Sequence, residues 1–121
     1  MKTLLAVAAS ALMLAPVIAR ADCSATDFKV ASFEVQVGDP AHPVMKMPGE
    51  LVNNCKEASA AQIEIEAKGA DGSVLQKRKL WPAGTTNIAP GSSVKFDAGR
   101  MFRFDPSMRT YAVEVVSVHA F

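Results

Sequence analysis

The chain has 121 residues, half of them hydrophobic, with 13 basic and 12 acidic side chains and a formal net charge of +1. That near balance excludes a global electrostatic pull toward nucleic acid or an anionic membrane. The length suits one core rather than two.

Residues 1–21 read as a cleavable signal peptide. Met1-Lys2 gives a positive start and an apolar run extends from Thr3 to Ile18. Ala19-Arg20-Ala21 then supplies a small-x-small cleavage site before Asp22-Cys23. As a membrane span the run is short, about 16 residues against the roughly 20 required, and Pro16 interrupts it. Removing Lys2 and Arg20 leaves 11 basic against 12 acidic residues, a mature net charge of −1. The expected product is one domain, residues 22–121, in the periplasm or secreted, with no stable membrane span. In that oxidising compartment Cys23 and Cys55 are expected to pair. The bridge would close a loop of about 33 residues, for which chain entropy predicts roughly 3–4 kcal/mol.

In chain order, Phe28–Val37 reads as one strand, with Phe33, Val35 and Val37 on one face and Ser32, Glu34 and Gln36 on the other. Gly38-Asp39-Pro40-Ala41-His42-Pro43 breaks it. Val44–Met47 is a short strand stopped by Pro48-Gly49, and Glu50–Cys55 resumes. Ala61–Ala67 has the clearest alternation, placing Ala61, Ile63, Ile65 and Ala67 inward and Gln62, Glu64 and Glu66 outward. Asp71-Gly72 signals a hairpin. Val74–Trp81 returns, carrying the basic run Lys77-Arg78-Lys79. Turns at Pro82-Ala83-Gly84 and Pro90-Gly91 precede Ser92–Asp97, with Val94 and Phe96 in phase. In irregular Ala98–Met108, the apolar Met101, Phe102 and Phe104 are expected to cover an end of the core while Arg100, Arg103 and Arg109 stay solvated. Thr110–Phe121 is a long final strand whose phase switches near Val115-Val116, which requires a bulge. No stretch of 22–121 carries a helical apolar stripe. Six to eight such strands read as an all-β, antiparallel β-sandwich with one disulfide.

From Gly49 onward the order of signals resembles the FxLYD-type domains, small immunoglobulin-like modules of bacterial envelope proteins. The matching pieces are Gly49-Glu50-Leu51-Val52-Asn53-Asn54, the family's Gly-x-x-x-Asn strand; Ile63–Ala67 followed by Asp71–Val74; Ile88–Ser92 leading to Phe96; and Tyr111–Val115. Lys68-Gly69-Ala70 stand where the name-giving Leu-Tyr would precede Asp71. The resemblance implies an immunoglobulin-like fold and a binding or accessory role, with no catalytic residues and no cofactor.

The residues themselves carry little chemistry. His42 and His119 lie in no recognisable nucleophile motif, and Glu64 and Glu66 share one strand face as solvated carboxylates do. No enzyme is expected. The alternative function is a small periplasmic copper carrier. His42, Met45 and Met47 offer imidazole and thioether ligands, with both methionines on one strand face; the competing reading makes the methionines adaptable core fillers. Lys77, Arg78, Lys79 and Trp81 are expected to form an interaction surface. The expected partner is an envelope protein or ligand rather than nucleic acid, and its identity and the oligomeric state are not encoded in any motif.

Overall fold

The computed structural model describes residues 22–121, so the signal peptide assigned to residues 1–21 lies outside the described residues. The described chain is all-β, with eight strands: β1 (Phe28–Phe33), β2 (Gln36–Val37), β3 (Met45–Lys46), β4 (Pro48–Asn53), β5 (Ala60–Lys68), β6 (Val74–Leu80), β7 (Ser93–Asp97) and β8 (Thr110–His119). They form three antiparallel sheets among the described residues: β1-β4-β7, β6-β5-β8 and the small pair β2-β3. Among these residues no helix is long and apolar enough to cross a membrane.

The strongest alternation in the sequence makes the centre of its sheet. β5 pairs with β6 on one side and β8 on the other, and Ala61, Ile63, Ile65 and Ala67 are buried in one core cluster. Leu51 and Phe96 from the other three-stranded sheet join them, as do Met45, Met47, Phe102 and Met108. Gln62, Glu64 and Glu66 point to the opposite face but are half-buried rather than fully exposed, because a central strand is flanked on both edges.

The expected bulge is present. Gln62 pairs with Ser117 and Ile63 with Val115, so Val116 is the extra residue on β8. The expected hairpin follows β5, with Gly72 at φ +85° in its turn. Asp71 accepts hydrogen bonds there from Ser73 N–H (3.0 Å) and from the Ser73 hydroxyl (2.7 Å). These bonds, the hydroxyl first, hold its carboxyl below the usual 3.8.

Three expectations need correction. Phe28–Val37 is not one strand. β1 pairs with β4 down to Phe33–Gly49, the N–H of Glu34 then donates to the Pro48 carbonyl, and Gln36–Val37 pairs with β3 instead. Its partner is itself interrupted, since Pro48 has no N–H and Met47 N–H donates to the Asp97 carboxylate (2.9 Å). Val37 consequently ends exposed while Phe33 and Val35 pack on the core. Second, Pro48-Gly49 not only follow the end of β3 but also open β4. Proline is tolerated at a strand's first residue, and Gly49 leaves room for the Phe96 ring, which a Cβ would strike. Third, Met101 does not cover the core. It is 38% exposed, while Phe102 and Met108 are buried and Phe104 packs against them.

Cys23 and Cys55 form the expected disulfide, with Cα atoms 5.7 Å apart and 32 residues of separation. The Asn54 N–H donates to the Asp27 carbonyl (2.8 Å), which brings the two segments together just beside the bridge. A 3-10 turn at Ala25–Asp27 lies between Cys23 and β1.

Asn53, the last residue of β4, is the largest polar side chain of the interior, with no solvent exposure. Its Nδ2 donates to the carbonyls of Glu57 (2.9 Å) and Ile88 (2.7 Å), and its Oδ1 accepts from Cys55 N–H (2.7 Å). One amide therefore ties the end of β4 to the disulfide loop and to the segment before β7. A buried amide with both its nitrogen and its oxygen paired is stabilising where an unpaired one would be costly.

Candidate functional site

The hydrogen-bonded strands bring together aromatic residues that are remote in sequence. Trp81 directly follows β6, His119 ends β8, and Phe121 lies two residues further on. The Phe121 ring stands 5.7 Å from Trp81 and 4.4 Å from His119, centroid to centroid, edge-on to both. Edge-to-face contact is the geometry that ring quadrupoles favour. Asn87 then fixes the Phe121 backbone: its Nδ2 donates to the Phe121 carbonyl (3.0 Å) and its Oδ1 accepts from Phe121 N–H (2.9 Å).

Despite this double attachment, Phe121 is 54% exposed. With Trp81, Gly84, Thr85, Ser117, Val118 and His119 it lines an open groove of about 540 Å³. Gly84, at φ +61°, turns the chain tightly after Trp81, its N–H donating to the Trp81 carbonyl (2.9 Å). Apolar rings interleaved with the hydroxyls of Thr85 and Ser117 make a surface that can take both flat apolar and hydrogen-bonding groups.

The proposed interaction residues do not form one patch. Lys77 and Lys79 lie opposite Glu66 and Glu64 on the outer face of their sheet, and Lys79 reaches Glu64 at 4.0 Å. An exposed pair of that length contributes roughly 0–1 kcal/mol. Arg78 lies opposite Ile65, hence on the core-facing side, and extends past the sheet edge to the Met101 carbonyl (3.0 Å). Trp81 belongs to the aromatic groove instead. Phe121, His119 and Asn87 were not apparent as a unit from the sequence. Their only signal is aromatic residues placed at the ends of two strands, which becomes a site once β6 and β8 are known to flank β5.

The copper candidates separate by burial. Met45 and Met47 share a face, as alternation requires, and both are buried in the core cluster. His42 is exposed on a turn in which Asp39 accepts from Ala41 N–H (2.8 Å) and from His42 N–H (2.8 Å). The carboxylates Glu64 and Glu66 each face a lysine, Lys79 at 4.0 Å and Lys68 at 3.8 Å. Desolvation near the start of β8 pushes the Tyr111 phenol above 10.0.

No known protein family matches the chain, and neither a characterised protein nor a solved structure matches it.

Proposed function

We propose that the protein is a non-enzymatic binding or accessory module of the bacterial cell envelope, exported through the leader of residues 1–21 to the periplasm or beyond. In this reading the two three-stranded sheets are the halves of an immunoglobulin-like β-sandwich, in keeping with the FxLYD-type resemblance. The observation that supports a binding role is the aromatic groove. An aromatic side chain more than half exposed is held rigid by two backbone hydrogen bonds from Asn87 and two ring contacts. Rigid exposed aromatics bind at low entropic cost, since little side-chain freedom remains to be lost. The partner is an envelope protein or ligand that covers Trp81, His119 and Phe121.

The test compares immobilised wild type with Trp81→Ala and Phe121→Ala in envelope extract. The expected result is a component retained by wild type and depleted at least about tenfold with either variant, as loss of roughly 1.4 kcal/mol requires. Circular dichroism must show both variants folded. Equal retention by all three proteins, or none by wild type, would refute the proposal.

A further inference from the structure

A second groove, of about 520 Å³, lies where the segment after β7 crosses β3 and the edge of β6. Three arginines line it, Arg78, Arg100 and Arg103, together with the apolar Pro43, Val44, Met45, Met101, Phe102 and Phe104. No carboxylate belongs to that lining, and no Asp or Glu lies within 4.0 Å of these guanidinium groups among the described residues. The neighbouring acids are committed to backbone. Asp97 Oδ1 accepts from Met47 N–H (2.9 Å) and Gly99 N–H (2.8 Å), and Asp105 Oδ1 accepts from Ser107 N–H (2.7 Å). Three cations thus gather with no carboxylate within 4.0 Å, in a stretch, residues 22–121, whose formal net charge is −1.

The fold fixes the backbone of this segment and the Arg78 guanidinium. Gln76 of β6 donates through Nε2 to the Arg103 carbonyl (2.6 Å), and its Oε1 accepts from Arg103 N–H (3.0 Å). Arg78 Nε donates to the Met101 carbonyl (3.0 Å) and Nη1 to the Lys77 carbonyl (2.8 Å), with the guanidinium carbon 5.9 Å from the centre of the Phe102 ring. Its Nη2 amino group keeps no protein acceptor among the described residues. Gly99 seats the segment on β3, where a Cβ would strike the Met45 carbonyl. Arg78 is therefore oriented in advance, with donors to spare, beside Arg100 and Arg103.

We propose that this groove binds an oxyanion of the phosphate class, carried by a free phosphoryl compound or by a lipid headgroup. A planar guanidinium with unused N–H groups matches two oxygens of a phosphate at once, and its partial fixation lowers the entropic cost of binding. Val44, 63% exposed, and Met101, 38% exposed, flank the cations and offer apolar contact to whatever carries the phosphate. The site is separate from the aromatic groove and its failure leaves the first proposal standing.

The experiment follows backbone amides and the Arg78 Nε–H by nuclear magnetic resonance during titration with inorganic phosphate. A parallel arm measures sedimentation with phosphatidylcholine vesicles, with or without one quarter phosphatidylglycerol. Saturable shifts confined to residues 99–104 and Arg78 on adding phosphate support a free phosphoryl ligand. Binding to the phosphatidylglycerol vesicles only supports a headgroup. In either arm Arg78→Gln should weaken binding about tenfold, the loss of one good charged contact. Arg100→Gln, which removes no hydrogen bond within the protein, should weaken it while leaving the melting midpoint unchanged. Absence of saturable binding in both arms, or binding that Arg100→Gln and Arg78→Gln leave intact, would overturn the proposal.

Discussion

Replacing Asn53 with alanine removes three hydrogen bonds from a side chain with no solvent exposure. The groups left behind are unequal. The Ile88 carbonyl still accepts from Ser59 N–H (3.2 Å), so it is not orphaned. Cys55 N–H and the Glu57 carbonyl lose their Asn53 partner; the Cys23 sulfur lies 3.4 Å from that carbonyl but, in a disulfide, has no proton to donate. Two groups without their partner at about 1–2 kcal/mol each, with a small further loss at Ile88, give an expected destabilisation of about 3 kcal/mol. For a domain of this size that lowers the melting midpoint by roughly 12–24 °C. Asn53→Asp sharpens the test. It keeps an acceptor for Cys55 N–H but sets a carboxylate against two carbonyls, which raises its folded pKa above the unfolded value. A raised carboxylate binds its proton more tightly in the folded state, so stability should rise as pH falls through the folded pKa toward the unfolded one. Guanidinium unfolding of the oxidised protein, followed by Trp81 fluorescence at neutral and mildly acidic pH, measures both. A loss below about 1 kcal/mol for Asn53→Ala, or an Asn53→Asp protein as stable as wild type at neutral pH, would refute the reasoning.

Four further outcomes are expected. Replacing Cys23 and Cys55 together by serine should cost about 3–4 kcal/mol in denaturant unfolding, with the far-ultraviolet circular dichroism of the folded state retained. Because the folded phenol of Tyr111 is raised above 10.0, its contribution is complete below pH 10.0 and is lost as pH climbs through the folded value; alkaline unfolding should therefore set in earlier for wild type than for Tyr111→Phe. Trp81→Ala should lower stability by less than the roughly 3–5 kcal/mol that truncating a core aromatic costs, because Trp81 is half-buried and lies outside the core cluster. Copper(I) titration should leave the melting midpoint and the His42 resonances unchanged, since reaching Met45 and Met47 would require opening the core.

What was legible in the sequence follows a physical division. β5 and the Val116 bulge were readable because side-chain alternation is local, and a phase switch within one strand leaves only one geometric solution. The break after Phe33 was not, because it is dictated by Pro48 in the partner strand rather than by anything within 28–37. Asn53 reads locally as a polar residue before a turn. Its burial depends on the Ile88 carbonyl, 35 residues away, which the Ser59–Ile88 bridge and the pairing of β4 with β7 bring near. Irregular segments have no period, so Met101 and Phe102 could not be told apart, though one is exposed and the other buried. The candidate sites were harder still. The basic run looked continuous along the chain, yet the strand's own pleat sends Lys77 and Lys79 to one face and Arg78 to the other.

That pleat bears on how a partner would be held. β6 is an edge strand, with one side paired to β5 and the other unpaired. Exposed lysines on an edge discourage a further strand from adding there, since their charges would have to be desolvated against it. Recognition through β6 therefore falls to side chains rather than to backbone pairing. Its residues divide by position: Gln76 and Arg78 reach the arginine-lined groove, and Trp81, just past the strand, forms a wall of the aromatic one. None of these is among the buried core residues. Substitutions at Arg78 and Trp81 should consequently change binding far more than folding, and each should affect its own groove alone, because additivity holds for sites that share no partner. A double variant losing more stability than the two single variants combined would show that the grooves are coupled through β6 and would undo that separation.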